Sequence, residues 1–277
     1  MKKIMILGAD GMAGHTVVDY LNNTHKYKIY TVGRTNSNDI VIKDIETDLN
    51  VLDFRVKCYN PDIIINGIGM LVKACSDNPA KAIFINGYFP HWLSKQKAKV
   101  IHLSTDCVFS GNKGTYRDTD EKDGVGQYAK VKAIGEIVND KDLTIRMSII
   151  GKELKENGSG LFDWFLRQKG TITGYDKTYW TGITTLELAK AIDKLIDSDI
   201  TGLYQLAFPY KISKYELIQL IAKIWKKTDI KIKRDVSNIH DKSLINSSKS
   251  IPNYKLPISY KKMLEEYYAY CKLRYKR

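Results

Sequence analysis

A chain of 277 residues with 43% hydrophobic, 27% charged and 10% aromatic residues has an ordinary globular composition, which excludes a disordered or fibrous architecture and leaves room for one large domain, or one domain with a smaller lobe. No apolar run approaches the roughly 20 residues that a membrane-spanning helix needs, and the opening MKKIMILGADG reaches glycine too soon for a secretory leader, so a cytoplasmic protein without membrane insertion is expected. The formal charge of +13 is uneven, because residues 201–277 hold 17 Lys and Arg against six Asp and Glu, a net of +11, and leave +2 for residues 1–200. Such a segment favours an anionic partner, with a solvated basic surface as the plain alternative.

In chain order, residues 3–8 form an apolar run that ends in glycine, and the stretch through Leu21 follows at helical spacing: strand, then helix. Lys28–Val32 reads as a second strand and Asp62–Asn66, placed just after a proline, as a third. Residues 79–96 are expected to be helical, Val100–Ser104 a fourth strand, Tyr128–Asn139 a helix and Leu143–Met147 a fifth strand. The alternation predicts an α/β chain with a doubly wound parallel sheet and right-handed crossovers over residues 1–150. After Ile150 the rhythm changes. Residues 151–182, rich in glycine and aromatics, read as loops with one helix near 160–168, while Thr185–Asp197 is strongly amphipathic and is expected to return to the sheet. Helices at Lys214–Lys226 and Tyr260–Leu273 complete a smaller lobe over 151–277.

Gly8, Gly11 and Gly14 sit between the first strand and the first helix, with Met12 opening that helix. Glycines there allow a tight turn and close approach of backbone to a pyrophosphate at the helix N-terminus. An NAD site usually places an acidic residue at the end of the second strand; here Arg34 follows Gly33 and suits a 2′-phosphate, so NADPH is expected ahead of NADH. The fourth strand ends in Ser104-Thr105-Asp106, and Tyr128 and Lys132 follow at i and i+4 on one helical face. A lysine ammonium near a phenol lowers its pKa from roughly 10, so that the tyrosine can exchange a proton with a carbonyl. The cysteines Cys58, Cys75, Cys107 and Cys271 are spaced too widely for a metal knuckle, and free thiols without a metal centre are expected. Tyr267, Tyr268, Tyr270 and Tyr275 among Lys and Arg raise a nucleic-acid reading, which is set aside because stacking modules place such residues on a sheet or groove.

The glycine motif, PDIIINGIG at 61–69, STDCVFSG at 104–111, YAKVKAIGE at 128–136 and ISKYELI at 212–218 resemble the extended short-chain dehydrogenase/reductases, and within them the dTDP-4-dehydrorhamnose reductase family of nucleotide-sugar 4-ketoreductases. The resemblance implies a Rossmann domain with a C-terminal substrate lobe, NADPH as cofactor and a nucleotide-diphosphate sugar as partner, with a homodimer compatible. It implies that Thr105 positions the keto oxygen, that Tyr128 donates the proton and that Lys132 binds the nicotinamide ribose. Asn66, Gly67 and Gly69 would line the cofactor, as would Ser104, and Asp106 would lie near the substrate. The chain departs from the family pattern in Asn66-Gly67-Ile68-Gly69, often NAAA, in Cys107, often aromatic, and in Ile149, often tryptophan. Trp180 offers a replacement aromatic surface for sugar or base, with lobe packing as the alternative. Cys107 occupies the place of a catalytic cysteine in the similar GDP-fucose synthases, which are epimerase-reductases. The histidine partner is missing from residues 103–239, so plain reduction of a dTDP- or UDP-linked 4-keto-6-deoxyhexose is favoured. The rivals are that epimerase-reductase and a non-catalytic, cofactor-binding regulatory subunit.

Overall fold

The computed structural model describes residues 1–248 and 250–275; Lys249, Lys276 and Arg277, which contribute to the basic excess, lie outside them. In chain order the first half comprises β1 (Lys2–Leu7), α1 (Met12–Thr24), β2 (Tyr27–Gly33), β3 (Ile40–Val41), α2 (Leu49–Tyr59), β4 (Ile63–Asn66), α3 (Val72–Asp77), α4 (Pro79–Ala82), a π-helical turn (Ile83–Tyr88), α5 (Phe89–Ser94), β5 (Lys99–Leu103), α6 (Gln127–Ile134) and β6 (Leu143–Arg146). Then come β7 (Ile149–Ile150), α7 (Leu161–Arg167), β8 (Gly170–Tyr175), β9 (Thr178–Trp180), β10 (Ile183–Thr184), α8 (Thr185–Leu195), β11 (Gly202–Gln205), β12 (Ile212–Ser213), α9 (Lys214–Ile224), β13 (Ile230–Asp235), β14 (His240–Asp241) and α10 (Tyr260–Arg274).

Seven parallel strands form the main sheet in the order β11-β6-β5-β4-β1-β2-β3. Alternate side chains serve opposite faces. Ile4, Ile6, Ile63, Ile65, Ile101 and Ile145 meet Val17 and Leu21 of α1 and Leu188 and Ile192 of α8 on one face. Met5, Leu7, Ile64 and Val100 meet Leu52 and Val56 of α2 and Phe89 and Leu93 of α5 on the other. Burial on both faces is why these strands are continuous apolar runs rather than alternating ones. The sheet draws on both halves of the chain, since α8 packs against α1 and β11 pairs with β6. No helix among the described residues is long and apolar enough to cross a membrane.

Residues 151–182 are more ordered than the expected loops. β8 pairs in parallel with β13, and β9 lies between β12 and β14. Their partners are distant in sequence, so no local pattern reveals them. The helices are marked by their caps: Thr184 accepts from the Glu187 N–H, and Ser213 and Glu216 make a reciprocal capping box at α9. The C-terminal tyrosines are packing groups. Tyr267 is buried against Phe162, Tyr268 meets Trp225 edge-on, Tyr270 donates to Asp19 and the Tyr275 hydroxyl lies 2.7 Å from His15 Nε2. Some of the segment's cations are paired, as Lys211 with Asp241, Arg234 with Asp176 and Arg274 with Asp19.

The helix expected over 128–139 stops at Ile134. Gly135 packs against the Asn86 carbonyl so closely that a Cβ there would overlap it. The chain then turns inward, and the buried Glu136 carboxylate accepts from Arg146 Nε at 2.9 Å, Arg146 Nη2 at 2.7 Å and Ser104 Oγ at 2.8 Å. Arg146 Nη1 donates to Gln205 Oε1 at 2.9 Å, and its guanidinium stacks over Phe109. One ion pair thus ties α6 to β5, β6 and β11. Arg146→Met would leave the buried Glu136 charge with only the half-exposed Lys122, 3.3 Å away, as an ionic partner, and a loss of about 3–5 kcal/mol in unfolding free energy is expected. Urea unfolding checks this; a loss under about 1 kcal/mol would contradict the role given to the pair.

Candidate active site

The sheet order reverses between β1 and β4, and the carboxyl ends of β1, β4 and β5 open into the crevice there, the usual ligand position in such sheets. Gly8 adopts φ +76°, and a Cβ on it would stand 2.9 Å from the Gly67 carbonyl carbon. This is a position only glycine fills. A Cβ on Gly14 would overlap the Gly8 carbonyl, so α1 begins directly against the loop. Gly11 at the N-cap is extended and has no side-chain cap, and the first turn, opened by Met12, has no acidic residue. Its free N–H groups and the positive end of the helix dipole suit an anion.

Asn66 is fully buried: its Oδ1 accepts from the Ile68 N–H at 3.1 Å and its Nδ2 lies 3.1 Å from His102 Nδ1. Together with Asn86, which bonds both the N–H and the carbonyl of Met70, it fixes the turn holding Gly67 and Gly69. Arg34 is exposed at the end of β2. The Ser104 hydroxyl is committed to Glu136, so Ser104 anchors the end of β5 from below.

Thr105 follows β5. Its Oγ1 accepts from the Cys107 N–H at 3.1 Å and donates to Asp106 Oδ1 at 3.2 Å. Burial drives the Tyr128 phenol pKa up, the neighbouring Cys107 acts in the same direction, and the Thr105 hydroxyl opposes them. The sequence pattern predicted instead that Lys132 would pull the phenol toward neutrality. The structure differs because the Lys132 ammonium is 2.8 Å from the Leu103 carbonyl oxygen and 3.5 Å from His102 Nε2, a buried cation taking the acceptor at the strand end. Burial lowers the Lys132 pKa to about 8, against the pull of Glu136 and Cys75. His102 is held neutral by burial, reinforced by Lys132. Sequence reasoning passed over His102, although a polar residue inside a buried strand is itself a signal.

Across the crevice stands the C-terminal lobe. Asp106 is buried, which raises its pKa although Lys214 and Lys242 pull the other way. Lys214, the first residue of α9, is brought to about 8 by burial, against Asp106 and Cys107, and its Nζ lies 5.1 Å from the Trp180 ring centre. Trp180 is only 2% exposed, and its Nε1 donates to Ser148 Oγ at 2.8 Å. Its ring therefore backs Lys214 and packs on Tyr260 rather than presenting an open stacking face. Burial, and then Asp106, push the Cys107 thiol up to about 11. The histidine-free interval 103–239 is a weaker exclusion than its sequence span implied, because His240 packs over Gly111 with Asp106 among the charges acting on it.

A family model described as the RmlD substrate binding domain matches residues 1–253. A dTDP-4-dehydrorhamnose reductase from Clostridium acetobutylicum is 22% identical with a TM-score of 0.80, over 98% of this chain and 99% of that one. The corresponding enzyme from Bacillus anthracis, in complex with NADP, is 20% identical with a TM-score of 0.81, over 98% and 100%. A hypothetical dTDP-4-dehydrorhamnose reductase from Sulfolobus tokodaii is 27% identical with a TM-score of 0.72, over 93% and 98%. No curated protein matches the chain.

Two lysines with lowered pKa values make the site's titration testable. The folded pKa of Lys132 and of Lys214 lies near 8, below the roughly 10.4 of an unfolded lysine. The folded state then binds fewer protons between those values, and the contribution of each lysine to stability rises with pH across that window. Lysine side-chain NMR should show two resonances with midpoints near 8, each removed by Lys132→Met or Lys214→Met. Midpoints above about 10 for both would contradict the burial described here.

Proposed function

Because the chain belongs to the family described by the RmlD substrate binding domain, we propose that it is an NADPH-dependent reductase of the C4 keto group of a nucleotide-linked 4-keto-6-deoxyhexose, carried by dTDP or UDP, in deoxysugar and surface polysaccharide synthesis. The observation that carries the proposal is the pairing of Thr105 with a Tyr128 phenol kept protonated at the end of β5, beside a glycine loop of dinucleotide type. The loop fits a dinucleotide: it is lined by backbone where any Cβ at Gly8 or Gly14 would collide, and it faces an uncapped helix N-terminus.

Gly8, Gly11, Met12 and Gly14 would hold the pyrophosphate, Arg34 the 2′-phosphate, Asn66, Gly67 and Gly69 the nicotinamide side, and Lys132 the adjacent ribose. When bound, NADPH supplies the hydride for C4. Tyr128 donates its proton to O4 while the Thr105 hydroxyl holds the same oxygen. A reductase needs this acid in its protonated form, and burial keeps it so at neutral pH. Lys132 lies one helical turn along α6 from Tyr128, but its ammonium is held at the Leu103 carbonyl, so its part here is with the ribose rather than with the phenol. Lys214 and Lys242, which act on Asp106 from the lobe, are the basic groups we assign to the substrate diphosphate. Epimerisation would require Cys107 to remove a proton beside the ketone, and a thiol raised to about 11 is a poor base at neutral pH.

NADPH oxidation across a panel of dTDP-, UDP- and GDP-4-keto-6-deoxy sugars tests the proposal. Tyr128→Phe should lower kcat by about 10²–10⁴-fold with cofactor affinity retained. A near-normal kcat in that variant would mean that another group supplies the proton. Run in D₂O, the product should carry no deuterium at C3 or C5 beyond the no-enzyme control; enzyme-dependent deuterium there, lost in Cys107→Ser, would identify an epimerase-reductase.

A further inference from the structure

The glycine loop holds a carboxylate beside the end of β2, where electrostatics alone would disfavour a second negative charge. Asp10 lies between Gly8 and Gly11, and its side chain crosses to the turn that follows Gly33. Oδ2 accepts from the N–H of Arg34 at 2.7 Å and of Thr35 at 3.1 Å. Oδ1 accepts from Thr35 Oγ1 and from Asn38 Nδ2, both at 2.9 Å. A carboxylate offers about four lone-pair sites, and donors from this one turn occupy them. Burial alone would raise the Asp10 pKa; the bonds from Asn38, Thr35 and the backbone outweigh it and hold the carboxyl below its usual range.

The turn is braced from other sides as well. Asn38 Nδ2 also reaches the Thr35 carbonyl at 3.1 Å, and the Thr35 and Ser37 hydroxyls lie 2.7 Å apart. A side chain at Gly33 would overlap the Asn38 amide, so β2 ends flush against the turn. Lys43 Nζ donates to the Arg34 carbonyl at 2.6 Å, which fixes a second cation beside the exposed Arg34. With its oxygens saturated by the turn, Asp10 is not a free acceptor for a ribose hydroxyl.

We propose that Asp10 is a positioning residue for the 2′-phosphate of NADPH, fixing the Arg34–Asn38 turn so that the charges of Arg34 and Lys43 converge on that phosphate. The proposal rests on the assignment of Arg34 to the 2′-phosphate made above. It predicts the opposite sign from simple charge repulsion, under which removing an acidic residue would tighten binding of the phosphorylated cofactor.

Calorimetric titration of the purified chain with 2′,5′-ADP and with 5′-ADP tests it without reference to turnover. Asp10→Ala should weaken 2′,5′-ADP binding by at least about tenfold and leave 5′-ADP within about threefold, since only the converging charges are displaced. Asp10→Asn, which keeps one acceptor oxygen, should recover part of the loss, and its thermal midpoint beside that of the wild type confirms a folded chain. Tighter or unchanged 2′,5′-ADP binding in both variants, or an equal loss for both nucleotides, overturns the role of Asp10. Arg34→Ala separates the two readings. If it weakens 2′,5′-ADP while the Asp10 variants do not, the phosphate assignment stands and the positioning role falls; if it has no effect, the assignment falls and takes the inference with it.

Discussion

Glu136 and Arg146 are each about 1% exposed at the side chain, and taking two such charges out of water costs several kcal/mol per ion before their attraction returns any of it. The arrangement is stable only because the remaining polar atoms are also satisfied. Ser104 bonds the carboxylate, Gln205 accepts from the guanidinium, and Gln205 Nε2 in turn donates to the carbonyls of Tyr116 and Ile245. The carboxyl is held below its usual range because Arg146, Ser104 and Lys122 together outweigh its burial. The pair joins the residue just past α6 to the ends of β5, β6 and β11, and α6 carries Tyr128 while Thr105 follows β5. The relative placement of the two hydroxyls in the site therefore depends on this buried contact.

Above it, burial also sets the protonation states. Tyr128 and Cys107 are pushed toward their protonated forms, and Lys132 and Lys214 toward easier loss of a proton. In a crevice of this kind a neutral phenol is the resting form, which is the form an acid catalyst of ketone reduction requires. The lobe contributes charge sparingly. Several of its cations are neutralised by nearby carboxylates on the surface, where such pairs contribute little to stability, and Lys214 and Lys242 are the ones that act on Asp106.

The parallel strands and the glycine turn were legible because both are local: an apolar run bounded by glycine, and a spacing that only a tight turn satisfies. The Tyr128-to-Lys132 spacing was equally local and correctly placed both residues on α6. Where the Lys132 ammonium points was not legible, since its acceptor, Leu103, belongs to β5, 29 residues away in sequence. The same limit hid the β8–β13 pairing and the Glu136–Arg146 pair. It also hid the role of Asp10, whose four donors all come from the turn after β2. Trp180 illustrates the converse: an aromatic in a glycine-rich stretch suggested a stacking face, and the fold buried it under Lys214.

Hydride delivery to C4, with the proton from Tyr128, is the central claim. It is tested most directly with NADPH carrying deuterium at both C4 positions of the nicotinamide, incubated with a dTDP- or UDP-4-keto-6-deoxyhexose and followed by NMR and mass spectrometry of the sugar. One deuterium is expected in the product, at C4 of the hexose. Deuterium at any other carbon, or its absence from a sugar whose ketone has been consumed, would contradict it.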